Sequence, residues 1–221
     1  LMEMATHGRT PLGGCNRQAL TDADRSGRDL FCGWCRESGY DVSVDAIGNI
    51  FVRRAGIEAL PPVLAGSHLD TQPTGGKFDG VYGVLAGLEV LNTLDDHGIA
   101  TLHPLEVVVW TNEEGCRFPC AMLGSAVWAG SMSLAQALEL RDRDGHSVGG
   151  ELTRIGYAGE HEARLRPLKA AFELHIEQGP VLEAAGVDIG IVTGVQHMSR
   201  YQVIFCGEAT HAGPTPMCMR R

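Results

Sequence analysis

The stretch PPVLAGSHLDTQPTGGKFDGVYGVLAGLEVLNTL, residues 61–94, decides the fold. It opens as a short apolar run behind two prolines, the pattern of a buried strand. From Gly83 to about Leu94 apolar residues recur at helical spacing, and Gly98 marks the end. Working outward, LEVVVWTNEEG (105–115) and AAFELHIEQG (170–179) read as further buried strands with polar residues bunched at their C-terminal ends. Upstream, Thr21 and Asp24 open a helix over 22–37 that stops at Gly39. DVSVDAIGNIFVRRAG (41–56) alternates in period two around a Gly48-Asn49 turn and predicts a hairpin. Downstream, Cys120–Ala129 and Ser133–Leu140 read as helices, and the polar segment Asp142–Arg166 as holding one short helix near Glu151–Ile155. A helix over Gln178–Ala185, a fourth strand VDIGIVTGV (187–195) and a new element from Tyr201 complete the pattern. Strands alternating with helices predict an α/β fold, a mostly parallel sheet flanked by helices on both faces. Ligands of such sheets bind beyond the carboxyl ends of the strands.

Composition narrows the class. The 221 residues are 44% hydrophobic and 20% charged, the balance of a chain that buries a core. A formal charge of −9, with no basic cluster beyond Arg53-Arg54 and Arg220-Arg221, argues against nucleic acid as a partner. No apolar run approaches the roughly 20 residues that span a bilayer, and the N-terminal LMEMATHGRTPLGG lacks a signal-peptide pattern. A cytoplasmic location is the expectation. Seven cysteines without ladder-like spacing fit a reducing compartment. Cys32 and Cys35 have the spacing of a thioredoxin-like pair, but they sit inside a helix already under way. They read as small core or boundary residues.

Three apolar runs end in metal-capable side chains. The first delivers His68 and Asp70, then Asp79 beyond Gly75 and Gly76, which let the loop turn back. The second delivers Glu113 and Glu114, and the third His175, with Glu177 and Gln178 just beyond. Singly, each has a bland reading: a surface turn, a solvated edge, a satisfied core histidine. Together they terminate runs where random charge is scarce. Imidazole with carboxylate suits zinc, manganese or cobalt, whereas calcium prefers an all-oxygen cage. A carboxylate can bridge two ions roughly 3.5–4 Å apart. In an extended strand Glu113 and Glu114 point to opposite sides, so one is free to bind metal and the other to act as general base. Asp70, two residues after His68, is placed to orient its imidazole.

At these residues the chain resembles the dizinc amidohydrolases that include N-carbamoyl-L-amino acid hydrolases, β-ureidopropionases and allantoate amidohydrolases, relatives of the aminoacylase and carboxypeptidase metallohydrolases. The stretches GSHLDTQPTGGKFDGVYGVLAGLEV, TNEEGCRF, ELHIEQGPVLE and GEATHAGPTPM carry the resemblance, in the family's order, from about Gly13 onward. It implies a zinc-exopeptidase-like catalytic domain, its N-terminal part over residues 1–195, and the start of an inserted α+β lid and dimerisation domain over 196–221. It implies two divalent ions, zinc or manganese/cobalt. His68, Asp79 and His175 resemble the ligands of one, with Asp79 bridging, and Glu114 a ligand of the second. Glu113 resembles the general base, Asp70 the carboxylate that steadies the site, and Gln178 a substrate contact. His211 resembles an oxyanion-stabilising histidine that also touches substrate; on its own it reads as a surface-loop histidine. The implied reaction is hydrolysis of a linear amide or ureido C–N bond in a homodimer, with N-carbamoyl amino acids or N-carbamoyl-β-alanine as substrates. Allantoate or ureidoglycolate, a dizinc peptidase or aminoacylase activity, and a non-catalytic dimerising module are the alternatives. The family needs a further C-terminal histidine for its second metal. Because the sequence ends at Arg221 and starts at Leu1, it reads as incomplete and the chain alone as inactive. Cys116 and Cys120, beside the glutamate pair, read as small thiols rather than zinc ligands.

Overall fold

Five short strands pair in the order β1-β2-β4-β3-β5: β1 Asp41–Val44, β2 Ile50–Arg54, β3 Val63–His68, β4 Leu105–Trp110 and β5 Ala170–Phe172. The computed structural model describes residues 1–195, 199, 201, 203–204 and 206–221. It divides into two units, Leu1–Gln178, which contains the sheet, and Gly179–Arg221.

The hairpin forms as its alternation predicts. Asp41 pairs Arg53 and Val44 pairs Ile50, with Gly48 at φ 82° in the turn. β2 then pairs β4 antiparallel, while β4, β3 and β5 pair parallel, His68 lying beside Trp110 and Ala65 beside Phe172. Four of the five strands therefore run the same way and β2 alone opposes them, so the sheet is mostly parallel in direction with one reversed strand. A tight hairpin forces that reversal; only a crossover makes parallel neighbours.

Helix α1, Asp22–Glu37, is capped by Thr21, whose Oγ1 accepts from the Asp24 N–H. The Asp24 carboxylate accepts in turn from the Leu20 N–H at 2.8 Å. Phe31, Cys32 and Cys35 of α1 are buried against the sheet. Helix α2, Val81–Asp96, is the crossover from β3 to β4 and lies close on the same face. A Cβ at Gly87 would meet Val107 at 3.0 Å, and one at Gly83 would meet the Leu174 carbonyl at 2.2 Å. At Gly83, where the obstacle is backbone, only glycine permits that approach. The opposite face buries Phe51, Leu64, Val108 and Trp128. Helices α3 Leu123–Trp128, α4 Leu134–Glu139 and α5 Val148–Ile155 follow β4.

Several elements are shorter than predicted. The helix expected from Cys120 starts at Leu123, because Cys120 and Met122 have φ of 92° and 58°. The run AAFELHIEQG is a strand only over its first three residues. In the second unit, α6 covers Val181–Ala185, and the strand expected at 187–195 does not form. Its apolar side chains, Ile189, Ile191, Val192 and Val195, are exposed. A strand needs a ladder partner, and alternation alone supplies none. Of the element expected from Tyr201, residues 202 and 205 lie outside the described residues, as do 196–198 and 200. Among the described residues no helix is long and apolar enough to cross a membrane.

Candidate metal centre

β3 ends at His68, and the chain leaves it into the loop that carries Asp70 and Asp79. β4, beside β3, leads through Thr111 and Asn112 to Glu113 and Glu114. β5, on the other flank of β3, leads to His175. Three neighbouring carboxyl ends thus deliver these side chains to one region. Gly80, at φ 68°, completes it: a Cβ there would lie 2.5 Å from the His68 ring. The imidazole occupies the space that any other residue would fill.

His68, Asp79 and His175 bring ligand atoms within 4.8 Å of one another. His175 Nε2 lies 3.1 Å from Asp79 Oδ1, and His68 Nε2 lies 3.8 Å from the same oxygen. The two rings stack with centroids 5.8 Å apart. Both tautomers are set by backbone carbonyls. His68 Nδ1 donates to the Asp70 carbonyl at 2.8 Å, and His175 Nδ1 to that of Ile176 at 2.9 Å. A carbonyl only accepts, so each Nδ1 carries a proton and, in the neutral ring, each Nε2 turns a lone pair toward Asp79. Two lone pairs facing a carboxylate repel unless a proton or a metal cation lies between them. This donor set, two nitrogens and a carboxylate oxygen, fits a divalent ion of the zinc type.

Glu113 and Glu114 do not continue an extended strand. β4 stops at Trp110, and Asn112 and Gly115 adopt φ of 51° and 64°. The two carboxylates nevertheless meet different partners. Glu113 Oε2 lies 3.5 Å from His68 Nε2. Glu114 lies outside the tight group of three; its Oε2 accepts from Gln72 Nε2, and its Oε1 is buried without a hydrogen-bond partner. Burial raises the Glu114 carboxyl above its ordinary value, Asp79 and Glu113 adding to the effect while Gln72 and His68 oppose it. An orphaned, buried carboxylate oxygen beside such a group is a further acceptor for a cation.

Asp70 works differently from the sequence expectation. It lies past the end of β3, and its carboxylate stays 3.8 Å from His68 Nδ1, which its backbone carbonyl holds instead. The carboxylate accepts the N–H groups of Glu113 and Glu114, one per oxygen, each at 3.2 Å. Asp70 thereby ties the His68 loop to the glutamate loop. Burial pushes its carboxyl up to about 6, against the pull of His68. For His68, burial lowers the imidazole pKa, but Asp70, Glu113 and Asp79 outweigh it and the net direction is upward.

Gln178, at φ 57°, donates from Nε2 to Asp79 Oδ2 at 2.7 Å. His211 belongs to the second unit, where it is exposed and its Nδ1 accepts from the Gly213 N–H at 3.0 Å. In the neutral ring, that leaves Nε2–H as a donor.

Sequence reasoning missed Gln72. Its amide donates to Glu114 while accepting from the Cys116 thiol, a role that no spacing signals. It also missed a buried polar brace beneath the glutamate loop. Arg28, fully buried, pairs with Asp24 at 2.8 Å and donates to the Gly48 carbonyl and Thr111 Oγ1. A second group, Asp142, Asp144 and His146, also clusters closely. Asp142 there is already engaged by Arg117 and by the N–H groups of Asp144 and His146, which makes it a loop clasp.

Residues 64–218 match peptidase family M20/M25/M40. The chain is 53% identical over 222 residues to an N-carbamoyl-L-amino-acid amidohydrolase of Rhizobium meliloti, spanning 100% of this chain and 53% of that protein. It is 40% identical over 228 residues to a ureidoglycolate hydrolase of Arabidopsis thaliana, spanning 99% of this chain and 48% of that one. A crystal structure of a hydantoinase/carbamoylase family amidase from Burkholderia ambifaria superposes with a TM-score of 0.86 at 54% identity, over 99% of this chain and 54% of that one. The chain spans about half the length of the curated relatives it matches.

Proposed function

The chain belongs to peptidase family M20/M25/M40, and from that premise we propose that it serves metal-dependent hydrolysis of a linear amide or ureido C–N bond, with an N-carbamoyl amino acid as substrate. The observation that carries this is the convergence of two imidazole Nε2 atoms on Asp79 Oδ1, at 3.1 and 3.8 Å, with the Glu113 carboxylate 3.5 Å from the His68 Nε2. His68, Asp79 and His175 would hold one divalent ion, zinc or manganese/cobalt, and Asp79 with Glu114 would reach a second. When bound, such ions supply Lewis acidity and make water a nucleophile near neutral pH.

The chain's own residues do the rest. Glu113 takes a proton from the attacking water and returns it to the leaving nitrogen. Asp70 keeps Glu113 and Glu114 in place through their backbone N–H groups. Gln178, held by Asp79, contacts the substrate in this reading. His211 offers an Nε2–H donor suited to an oxyanion, the kind of contact typically worth about 3 kcal/mol in barrier. We assign residues 1–195 to the catalytic domain and 196–221 to the opening of a lid that also forms a homodimer. Among the described residues, which include all seven cysteines, no disulfide forms, which supports a reducing, cytoplasmic location.

The carbamoyl reading is favoured over ureidoglycolate by the higher identity to the Rhizobium meliloti protein, 53% against 40%. Ammonia release measured in parallel from N-carbamoyl-L-amino acids, allantoate and ureidoglycolate separates the two. Glu113→Gln should retain metal and KM while kcat falls by about 10²–10⁴. Turnover within tenfold of the parent would remove Glu113 from the proton path.

A further inference from the structure

Arg17 precedes the family match, which begins at residue 64, and is completely buried. Its guanidinium grips backbone carbonyls. Nε donates to Leu69 at 2.8 Å, and Nη1 to Met4 at 3.1 Å and His7 at 2.6 Å, with Cys15 Sγ at 3.3 Å. Its backbone N–H donates to Thr71 Oγ1 at 2.8 Å, and its carbonyl accepts the Thr71 N–H at 2.9 Å. Two residues earlier, Cys15 and Gly75 exchange backbone hydrogen bonds at 2.9 and 3.0 Å. Residues 15–17 thus form a strap along the loop between His68 and Asp79. Helix α1 closes over it: a Cβ at Gly27 would meet Arg17 Cδ at 3.0 Å and Met4 Sδ at 3.2 Å.

We propose that Arg17 is a positioning residue for the metal centre, fixing the peptides on either side of Asp70 and so the alignment of His68 with Glu113 and Glu114. The inference rests on the metallohydrolase reading above. The guanidinium holds the Leu69 carbonyl and the Arg17 backbone pairs with Thr71, and these two residues flank Asp70 directly. Asp70 in turn holds the His68 ring through its carbonyl and the glutamate loop through its carboxylate. Burying a guanidinium is expensive, and an apolar side chain of similar volume would stabilise a plain N-terminal segment at least as well. What an apolar side chain lacks is the rigid multi-donor fork that fixes several carbonyls at once.

The test uses Arg17→Met and Arg17→Lys in the full chain, with two readouts. In the metal-free protein, hydrogen exchange at Leu69–Thr71 and Glu113–Glu114 should accelerate about tenfold or more, while Val107–Val109 keep their protection. Zinc affinity, measured by chelator competition and corrected for the folded fraction, should weaken on the order of 10- to 100-fold. Lysine should not rescue either readout, because one ammonium cannot span Leu69 and the Met4 and His7 carbonyls together. Should Arg17→Met not fold, Arg17→Gln, which keeps the backbone pairing with Thr71 and removes the multi-donor fork, carries the same expectations. Folded variants whose exchange and zinc affinity stay within twofold of the parent would overturn the proposal. Failure of the parent itself to bind zinc would overturn the hydrolase reading, and the exchange result would still decide whether Arg17 holds the Asp70 segment.

Discussion

Asp45 shows how a single side chain couples this fold to pH. Its Oδ1 accepts N–H groups from Ile47 and Asn49, and its Oδ2 accepts from Asn49 Nδ2. Burial nonetheless dominates and pushes the carboxyl up to about 6 from an ordinary 3.8. The folded chain therefore keeps a proton that the unfolded chain has released between about pH 4 and 6. Its stabilising contribution is complete below the unfolded value and is lost as pH rises through about 6, on the order of 3 kcal/mol in all. A carboxyl titration followed by carbon NMR should place the Asp45 midpoint near 6; a midpoint at or below 4 contradicts this account. At the same scale, the site was legible where chemistry interrupts an apolar run. His68, the glutamate pair and His175 each follow such a run. Gln72 and Arg17 were not legible, because their partners lie roughly 40 to 50 positions away or are backbone carbonyls, which leave no pattern in the sequence. Of the Arg28 contacts only the Asp24 pair, four residues upstream, has local spacing, while Gly48 and Thr111 do not.

Element by element, the sequence was read best where packing and propensity agree. Helix α1 occupies its predicted span, with Thr21 as cap and Gly39 at φ 82° beyond its end. The Cys32–Cys35 pair inside it takes the core role that its position mid-helix implied. Both thiols are buried, and burial pushes Cys35 up to about 12 and Cys32 upward, the latter opposed by the Tyr157 hydroxyl. Neither is a nucleophile near neutral pH. A chromogenic disulfide reagent at pH 7.5 should label the exposed Cys120, Cys206 and Cys218 within minutes, and Cys32 and Cys35 only on unfolding. Rapid labelling of the pair in the native chain would reopen the redox reading. Where strand ends were misjudged, register was the cause. β5 pairs β3 only from Ala170 to Phe172, so the rest of its apolar run has no ladder to join.

For the molecule as a whole, the β3–α2–β4 crossover and the return of β5 to the far flank of β3 decide where chemistry is possible. The order of strand addition switches sides at β3, with β4 on one flank and β5 on the other and all three parallel, so the carboxyl ends of three adjacent strands face one region. That topology was readable from the alternation of apolar runs and helical spacing. The antiparallel β2 followed from the hairpin signal, whereas the order of the strands in the sheet had no local signature. The central claim is that this topology gathers His68, Asp79 and His175 into a divalent-metal site. The most direct test is a zinc titration of the metal-free protein, followed by calorimetry and by His Nε2 chemical shifts. The account predicts saturable binding that moves both Nε2 resonances and is lost in His175→Ala. Absence of binding, or binding that His175→Ala leaves intact, would contradict it.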